Sequence, residues 1–253
     1  MSRLKNTCEC KVAVLDTGVD ATHPAFASSV ITFRDFCGSE HVPVDLHGHG
    51  THCAGIVAEL APNAALLVGR ITDRNGMLTY EALWDALQWC GREEADVVCI
   101  CTGDRHGDPD IEETVNRLAS EGRAVIVAVG NDGKIGGPGL FPARLESAIA
   151  VACLNEQGDL LPFVNKPAGV ELFGLPTWRP VTGPRLGGKY SALGGTSVSA
   201  AQLTGWIAAA MARDDQLLAQ SVKAYIKANS EKRVGPHATY FVVDRQKLIS
   251  PHL

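Results

Sequence analysis

The chain has no apolar run approaching the ~18 residues of a membrane-spanning helix. Its longest such stretches, 124–130 and 147–154, are far shorter. It has no cluster of lysine and arginine, and its formal net charge is −5. Such a field repels a polyphosphate, which argues against nucleic acid as a partner. Cys-x-x-Cys pairs are absent. Cys8 and Cys10, like Cys99 and Cys101, are two apart, a spacing that fits neither a zinc ribbon nor a thioredoxin-type site. No apolar h-region follows Met1-Ser2-Arg3-Leu4-Lys5, so no secretory signal is read and a cytoplasmic location is expected. Internal repeats and low-complexity tracts are missing too.

What is present is a chain of 253 residues, 45% hydrophobic and 20% charged. At this length folding buries roughly three quarters of the extended chain's surface, enough for one domain without covalent staples. We expect a single domain over 1–253, with its core in about 11–245, as a monomer. Cys53, Cys90, Cys99, Cys101 and Cys153 lie in apolar stretches, where a free thiol behaves as a small hydrophobe. Reduced thiols are therefore expected, and no structural zinc.

Short apolar runs alternate with longer amphipathic segments. Residues 11–15, 65–71, 96–101, 124–129 and 148–154 read as strands, and 50–60, 80–90, 111–120, 197–213 and 216–227 as helices. The strands are continuously apolar, as in a parallel sheet covered on both faces. The predicted class is α/β, with a mostly parallel sheet and helices on both faces. Glycine and proline gather in 133–142 and 176–195, which read as surface loops, and a short apolar run, 240–243, lies near the end.

Three segments place a reactive side chain at a strand end or helix start, the edge where open α/β sheets bind ligands. They are Asp16-Thr17-Gly18, His49-Gly50-Thr51-His52 and Gly195-Thr196-Ser197. Taken singly, each has an ordinary explanation as a turn cap, a packed histidine or an N-cap. The histidine segment has no Glu and so does not match the zincin pattern. The order Asp, His, Ser is that of subtilisin, and differs from those of chymotrypsin and the α/β-hydrolases.

On these three motifs, together with Ala128-Val129-Gly130-Asn131-Asp132-Gly133, the chain resembles the subtilisin-like serine proteases, the subtilase family, from about residue 11 to 245. The resemblance implies a three-layer, doubly wound fold and hydrolysis of peptide bonds by an Asp–His–Ser triad. Ser197 is then the nucleophile, His49 its base, Asp16 the group that orients the base, and Asn131 an oxyanion donor. His52 is read as a packed helix residue and His47 as loop. The resemblance also implies that a peptide substrate adds as a strand between 75–78 (Gly76, Met77, Leu78) and 101–104 (Cys101, Thr102, Gly103). Leu140 would floor the primary specificity pocket and make it shallow, with Asp104 and Asp132 near the rim.

The chain departs from the family pattern in places. Cys101-Thr102 stands for the usual Ser-Leu, Ala201 for proline and Val198 for methionine. Cys53, four residues after His49, matches the thiol-containing, proteinase K-like branch, in which mercurials are expected to inhibit. The stretch 54–62 passes into 63–65 without the insertion that forms a strong calcium loop, so no cofactor is expected to be required and calcium binding at most weak. Asp16 stands close to Met1, so the expectation is either a trimmed mature domain or one that folds without a prodomain. Two rival readings share these residues. One is a peptide ligase, macrocyclase or natural-product processing protease; the other is a pseudoenzyme that binds peptides uncut.

Overall fold

A computed structural model describes residues 10–38, 42–136, 139–214, 217 and 221–249. Cys8 and positions 137, 138, 216 and 218–220, which fall in the expected loop and helix, lie outside them. The strands are β1 (Lys11–Asp16), β2 (Val30–Asp35), β3 (Ala65–Arg70), β4 (Val97–Ile100), β5 (Ala124–Ala128), β6 (Ile149–Cys153), β7 (Leu172–Leu175), β8 (Val181–Arg185), β9 (Lys189–Leu193), β10 (Ser230–Val234) and β11 (Thr239–Val243). The helices are α1 (His49–Leu60), α2 (Tyr80–Arg92), α3 (Pro109–Ser120), α4 (Thr196–Arg213), α5 (Val222–Ala228) and α6 (Arg245–Ile249).

One nine-stranded sheet runs β10-β11-β7-β6-β5-β4-β1-β3-β2, parallel throughout except where β10 meets β11. Successive residues of a strand face opposite sides. Val12 and Val14 therefore enter the core shared with α1, α4, α5 and α6, while Ala13 and Leu15 enter the core shared with α2 and α3. All four are fully buried. This two-sided burial explains why the strands read as unbroken apolar runs. The three-layer α/β expectation holds.

The topology sets the place of the site. After β1 the chain builds β2 and β3 on one side, then crosses to β4, β5, β6 and β7 on the other. β1 sits at this reversal, where a crevice opens at the carboxyl ends of the strands. Asp16 ends β1, Cys101 follows β4, and Gly130-Asn131 follow β5 closely, so three neighbouring strands deliver them to one edge.

Some elements depart from the sequence expectation. The segment 176–195 is not simply loop: β8 and β9 form an antiparallel hairpin whose turn uses Gly187 and Gly188 at φ 69° and 72°. Its proline and glycine content masks the strands. β2 alternates half-buried and exposed residues as an edge strand, and so carries no long apolar run. β7 was too short to register, and a glycine interrupts it: a Cβ on Gly174 would stand 2.6 Å from Leu154 Cδ2. β7 is nevertheless core, since Phe173 is fully buried and stacks on Phe241 of β11 at 5.4 Å between ring centroids. Phe173→Ala is expected to lower unfolding stability by about 3–5 kcal/mol, read by urea denaturation.

Candidate active site

The site starts with two backbones brought unusually close. Gly18 follows β1 at φ 113°, and a Cβ there would stand 1.9 Å from the Val44 carbonyl oxygen; one on Gly50 would stand 2.3 Å from the Gly18 carbonyl oxygen. Only hydrogen fits at either position. The approach brings the first residue of α1 to the end of β1. His49 Nδ1 lies 2.8 Å from Asp16 Oδ1 and 2.9 Å from Oδ2. The Thr17 N–H donates to Asp16 Oδ1 at 2.7 Å. Asp16 is 1% exposed and the His49 side chain 27%. The carboxylate fixes the tautomer: Nδ1 carries the proton and Nε2 is left as an acceptor. The Asp16 charge, ahead of the opposing effect of burial, raises the His49 pKa above the ordinary 6.5.

A second buried acid, Asp45, holds this junction and was not foreseen from the sequence. Its Oδ1 accepts from the N–H groups of His47 (2.9 Å) and Gly48 (2.6 Å) and from the Thr17 hydroxyl (2.9 Å). Its Oδ2 accepts from the Thr51 N–H (2.9 Å) and hydroxyl (2.6 Å). Thr17 Oγ1 in turn accepts from the Gly50 N–H at 2.8 Å. The N-cap of α1 is Gly48, which has no side chain to cap with. Asp45 therefore meets the amides a helix start leaves unpartnered. Burial alone would raise its pKa; the Thr51, Gly48 and His47 donors overcome that and hold it low. Its sequence signal was an Asp four residues before His49, which a turn acid would give equally.

The opposite wall is the start of α4. Ser197 stands in its first turn, 8% exposed, and donates its hydroxyl to the Cys101 carbonyl at 2.9 Å. The Thr196 N–H donates to Asn131 Oδ1 at 3.0 Å, and the Gly130 N–H to Thr196 Oγ1 at 3.1 Å. With its oxygen engaged, the Asn131 side chain keeps its amide hydrogens for another acceptor. Gly195 has φ 106°, and a Cβ there would stand 3.1 Å from Asn131 Nδ2. Buried Asn165, another residue the sequence did not flag, braces this loop through Val129 O (3.2 Å) and the Lys134 N–H (3.0 Å).

The two expected substrate edges differ. Thr102 and Gly103 remain half-buried at the cleft, whereas the Cys101 side chain turns into the core, 5% exposed. Residues 75–78 form a closed turn: the Met77 N–H donates to Asp73 Oδ1 and its carbonyl accepts from the Asp73 N–H, both at 2.9 Å, and the Gly76 N–H donates to the Asp73 carbonyl at 3.1 Å. Leu78 pairs with Thr72. Met77 therefore has its own backbone engaged within the turn and an exposed side chain. Leu140 joins Asp132, Arg105, Lys134, Ile135 and Asn165 around a cleft of about 270 Å³. A Cβ on Gly130 would meet Leu140 Cδ1 at 2.3 Å, so the leucine occupies the space against that glycine. Asp104 is engaged by the His106 N–H and ring, which hold its pKa down to about 2.

Of the other histidines, His47 is exposed and His52 fully buried in α1, where burial lowers its pKa to about 4. Cys53 accepts a lowering hydrogen-bond influence from Cys101, but burial and Asp16 carry its thiol up to about 12, so it stays protonated. Asp45→Ala leaves several buried donors unpaired and is expected to destabilise by about 3 kcal/mol or more. It should also depress kcat together with the melting temperature. Thermal unfolding and steady-state kinetics read the two effects.

The Subtilase family model matches residues 8–243. Thermitase of Thermoactinomyces vulgaris is 30% identical over 93% of this chain and 85% of its own length. The thermophilic serine proteinase of Bacillus sp. strain AK1 is 30% identical over 93% of this chain and 59% of its own. Among solved structures, a cold-adapted subtilisin-like serine proteinase superposes with TM-score 0.82 at 21% identity, covering 95% of this chain and 90% of that one. The prenylagaramide maturation protease PagA superposes with TM-score 0.81 at 22% identity, covering 95% and 92%. The chain belongs to the subtilase family and is a subtilisin-like serine protease.

Proposed function

We propose that the chain is an endopeptidase that hydrolyses peptide bonds through an acyl-enzyme on Ser197. The observation that carries this is the buried Asp16 carboxylate, gripped by His49 Nδ1 through both oxygens beside the first turn of α4. His49 Nε2 takes the Ser197 proton as the hydroxyl attacks the scissile carbonyl. Asp16 stabilises the resulting imidazolium, which returns the proton to the leaving amine. A water then repeats the sequence on the ester. Ser197 starts from its bond to the Cys101 carbonyl; contacts between a nucleophile and its base commonly tighten only with substrate present.

The oxyanion is met by the Asn131 amide and the Ser197 N–H, in the first helical turn, where the dipole favours negative charge. The peptide backbone pairs along Thr102-Gly103, and Leu140 limits the depth of the pocket beside Asn131. The scheme calls for no metal or organic cofactor. The substrate class is a peptide or polypeptide.

Peptide-library digestion tests the reading: two fragments support hydrolysis, a joined or cyclic product a ligase, and an intact bound peptide a pseudoenzyme. Ser197→Ala is expected to lower kcat by roughly four decades or more. Asn131→Ala should lower it by about two to three decades with little change in KM, the magnitude measured on a subtilisin. His49 must be neutral to accept a proton, and its pKa is raised. The acid limb of kcat/KM should therefore lie above 6.5. Asp16→Asn removes the cause of that rise; the limb should move to lower pH while kcat falls by roughly 10⁴. A limb unmoved by Asp16→Asn would contradict the assignment.

A further inference from the structure

The cleft beside Asn131 carries a charge pattern to which the proposed chemistry gives no role. Leu140 and exposed Ile135 supply its apolar surface, and Arg105, Asp132 and Lys134 its charged groups. Both cations stand on fixed backbone. Asp104, next to Arg105, exchanges two hydrogen bonds with Phe141: its N–H donates to the Phe141 carbonyl at 3.1 Å, and its carbonyl accepts from the Phe141 N–H at 2.7 Å. The Arg105 carbonyl accepts from Arg144 Nη1 at 2.9 Å. On the other wall the Lys134 N–H donates to Asn165 Oδ1 at 3.0 Å, and the Lys134 carbonyl accepts from the Lys166 N–H at 2.7 Å. The side chains of Arg105 and Lys134 have no hydrogen-bond or ion-pair partner among the described residues. The acids nearby are engaged: Asp104 by the N–H and ring of His106, both at 2.9 Å, and Asp132 Oδ2 by Asn165 Nδ2 at 3.5 Å. In a chain of net charge −5, this cleft therefore sets two free cations against one engaged acid.

We infer that the cleft selects glutamate on the acyl side of the scissile bond, with Arg105 and Lys134 as the specificity-determining residues. The inference rests on the protease reading above and names the substrate class of that same site. The acyl side is the one concerned because the cleft adjoins Asn131, and because a Cβ on Gly103, in the proposed peptide edge, would stand 3.5 Å from Leu140 Cβ. Leu140 leaves room for a short apolar stem, and the two methylenes of Glu can lie on it and Ile135. The carboxylate then ends between the two cations at the rim, where it keeps part of its hydration and meets charge-assisted donors. Lysine or arginine in the same place would add a third positive charge. Two solvent-exposed pairs of this kind correspond together to about a tenfold preference.

The test applies two readouts to the full-length protein. A peptide library is digested and the new carboxyl-terminal residues are read by mass spectrometry. Ser197 is also labelled with aminoalkyl diphenylphosphonates bearing a Glu-, Gln- or Lys-like side chain, which report the cleft without peptide turnover. Glu should lead the library cuts, and the Glu probe should react about tenfold faster than the Gln probe, with the Lys probe slowest. In 1 M NaCl, where charges more than about 3 Å apart are screened, the ratio should fall several-fold. Arg105→Glu and Lys134→Glu should each lower it, and the double variant should put the Lys probe first. Lys232→Glu, on edge strand β10, changes the net charge as much as either single variant and should leave the ratio unmoved. Equal rates for the Glu and Gln probes, no labelling by the Glu probe, or a ratio unmoved in the double variant would overturn the assignment. A library cut with no preference for Glu leaves hydrolysis standing and removes the specificity, whereas a Glu preference among the probes with no library peptide cut does the opposite.

Discussion

The rest of the structure depends on one charge-assisted hydrogen bond, from His49 to the buried Asp16 carboxylate. Asp16 sits at the end of a central strand with almost no solvent contact, where an uncompensated carboxylate would be prohibitive. His49 and the Thr17 N–H supply the compensation. The strand needs the helix start as much as the chemistry does. In return, the carboxylate charge makes the imidazole a stronger base than it would be in water, and its hold on Nδ1 leaves the other nitrogen an acceptor.

Holding that pair requires a junction where two backbones touch. Gly18 and Gly50 allow the approach, and Asp45 takes up the amides and hydroxyls it would otherwise leave unpaired. The far wall repeats the device with different parts. Gly195 lets α4 start against Asn131, whose oxygen caps Thr196 and whose nitrogen is thereby aimed outward. In both places a glycine permits the geometry and a side-chain oxygen at a helix start enforces it. The Asp–His pair and the Ser–Asn pair are thus fixed independently, on β1 with α1 and on β5 with α4.

Much of this was legible in the sequence because buried parallel strands leave unbroken apolar runs, and because the residues proposed to be catalytic sit in short glycine-bounded segments. Asp16, His49, Asn131 and Ser197 are brought to one edge as those segments suggested. The missed parts carry weaker signals. β7 has four residues and a glycine, and β8–β9 contain the proline and glycine that ordinarily mark loops. Asp45 and Asn165 act through several backbone partners distant in sequence, and no local pattern distinguishes them from turn residues. The closed turn at 75–78 depends on Asp73, an exposed acid with no motif around it. Cys101 looked like part of a substrate edge, yet its side chain packs inward because it lies two residues after Cys99 on the same strand face.

The central claim is that Asp16, His49 and Asn131 activate Ser197 as a unit. It is tested most directly by the intact mass of the reduced protein after a fluorophosphonate probe, with Ser197→Ala as control. The account predicts one rapid adduct that is absent from the control. No adduct on folded protein, or the same adduct on Ser197→Ala, would contradict it.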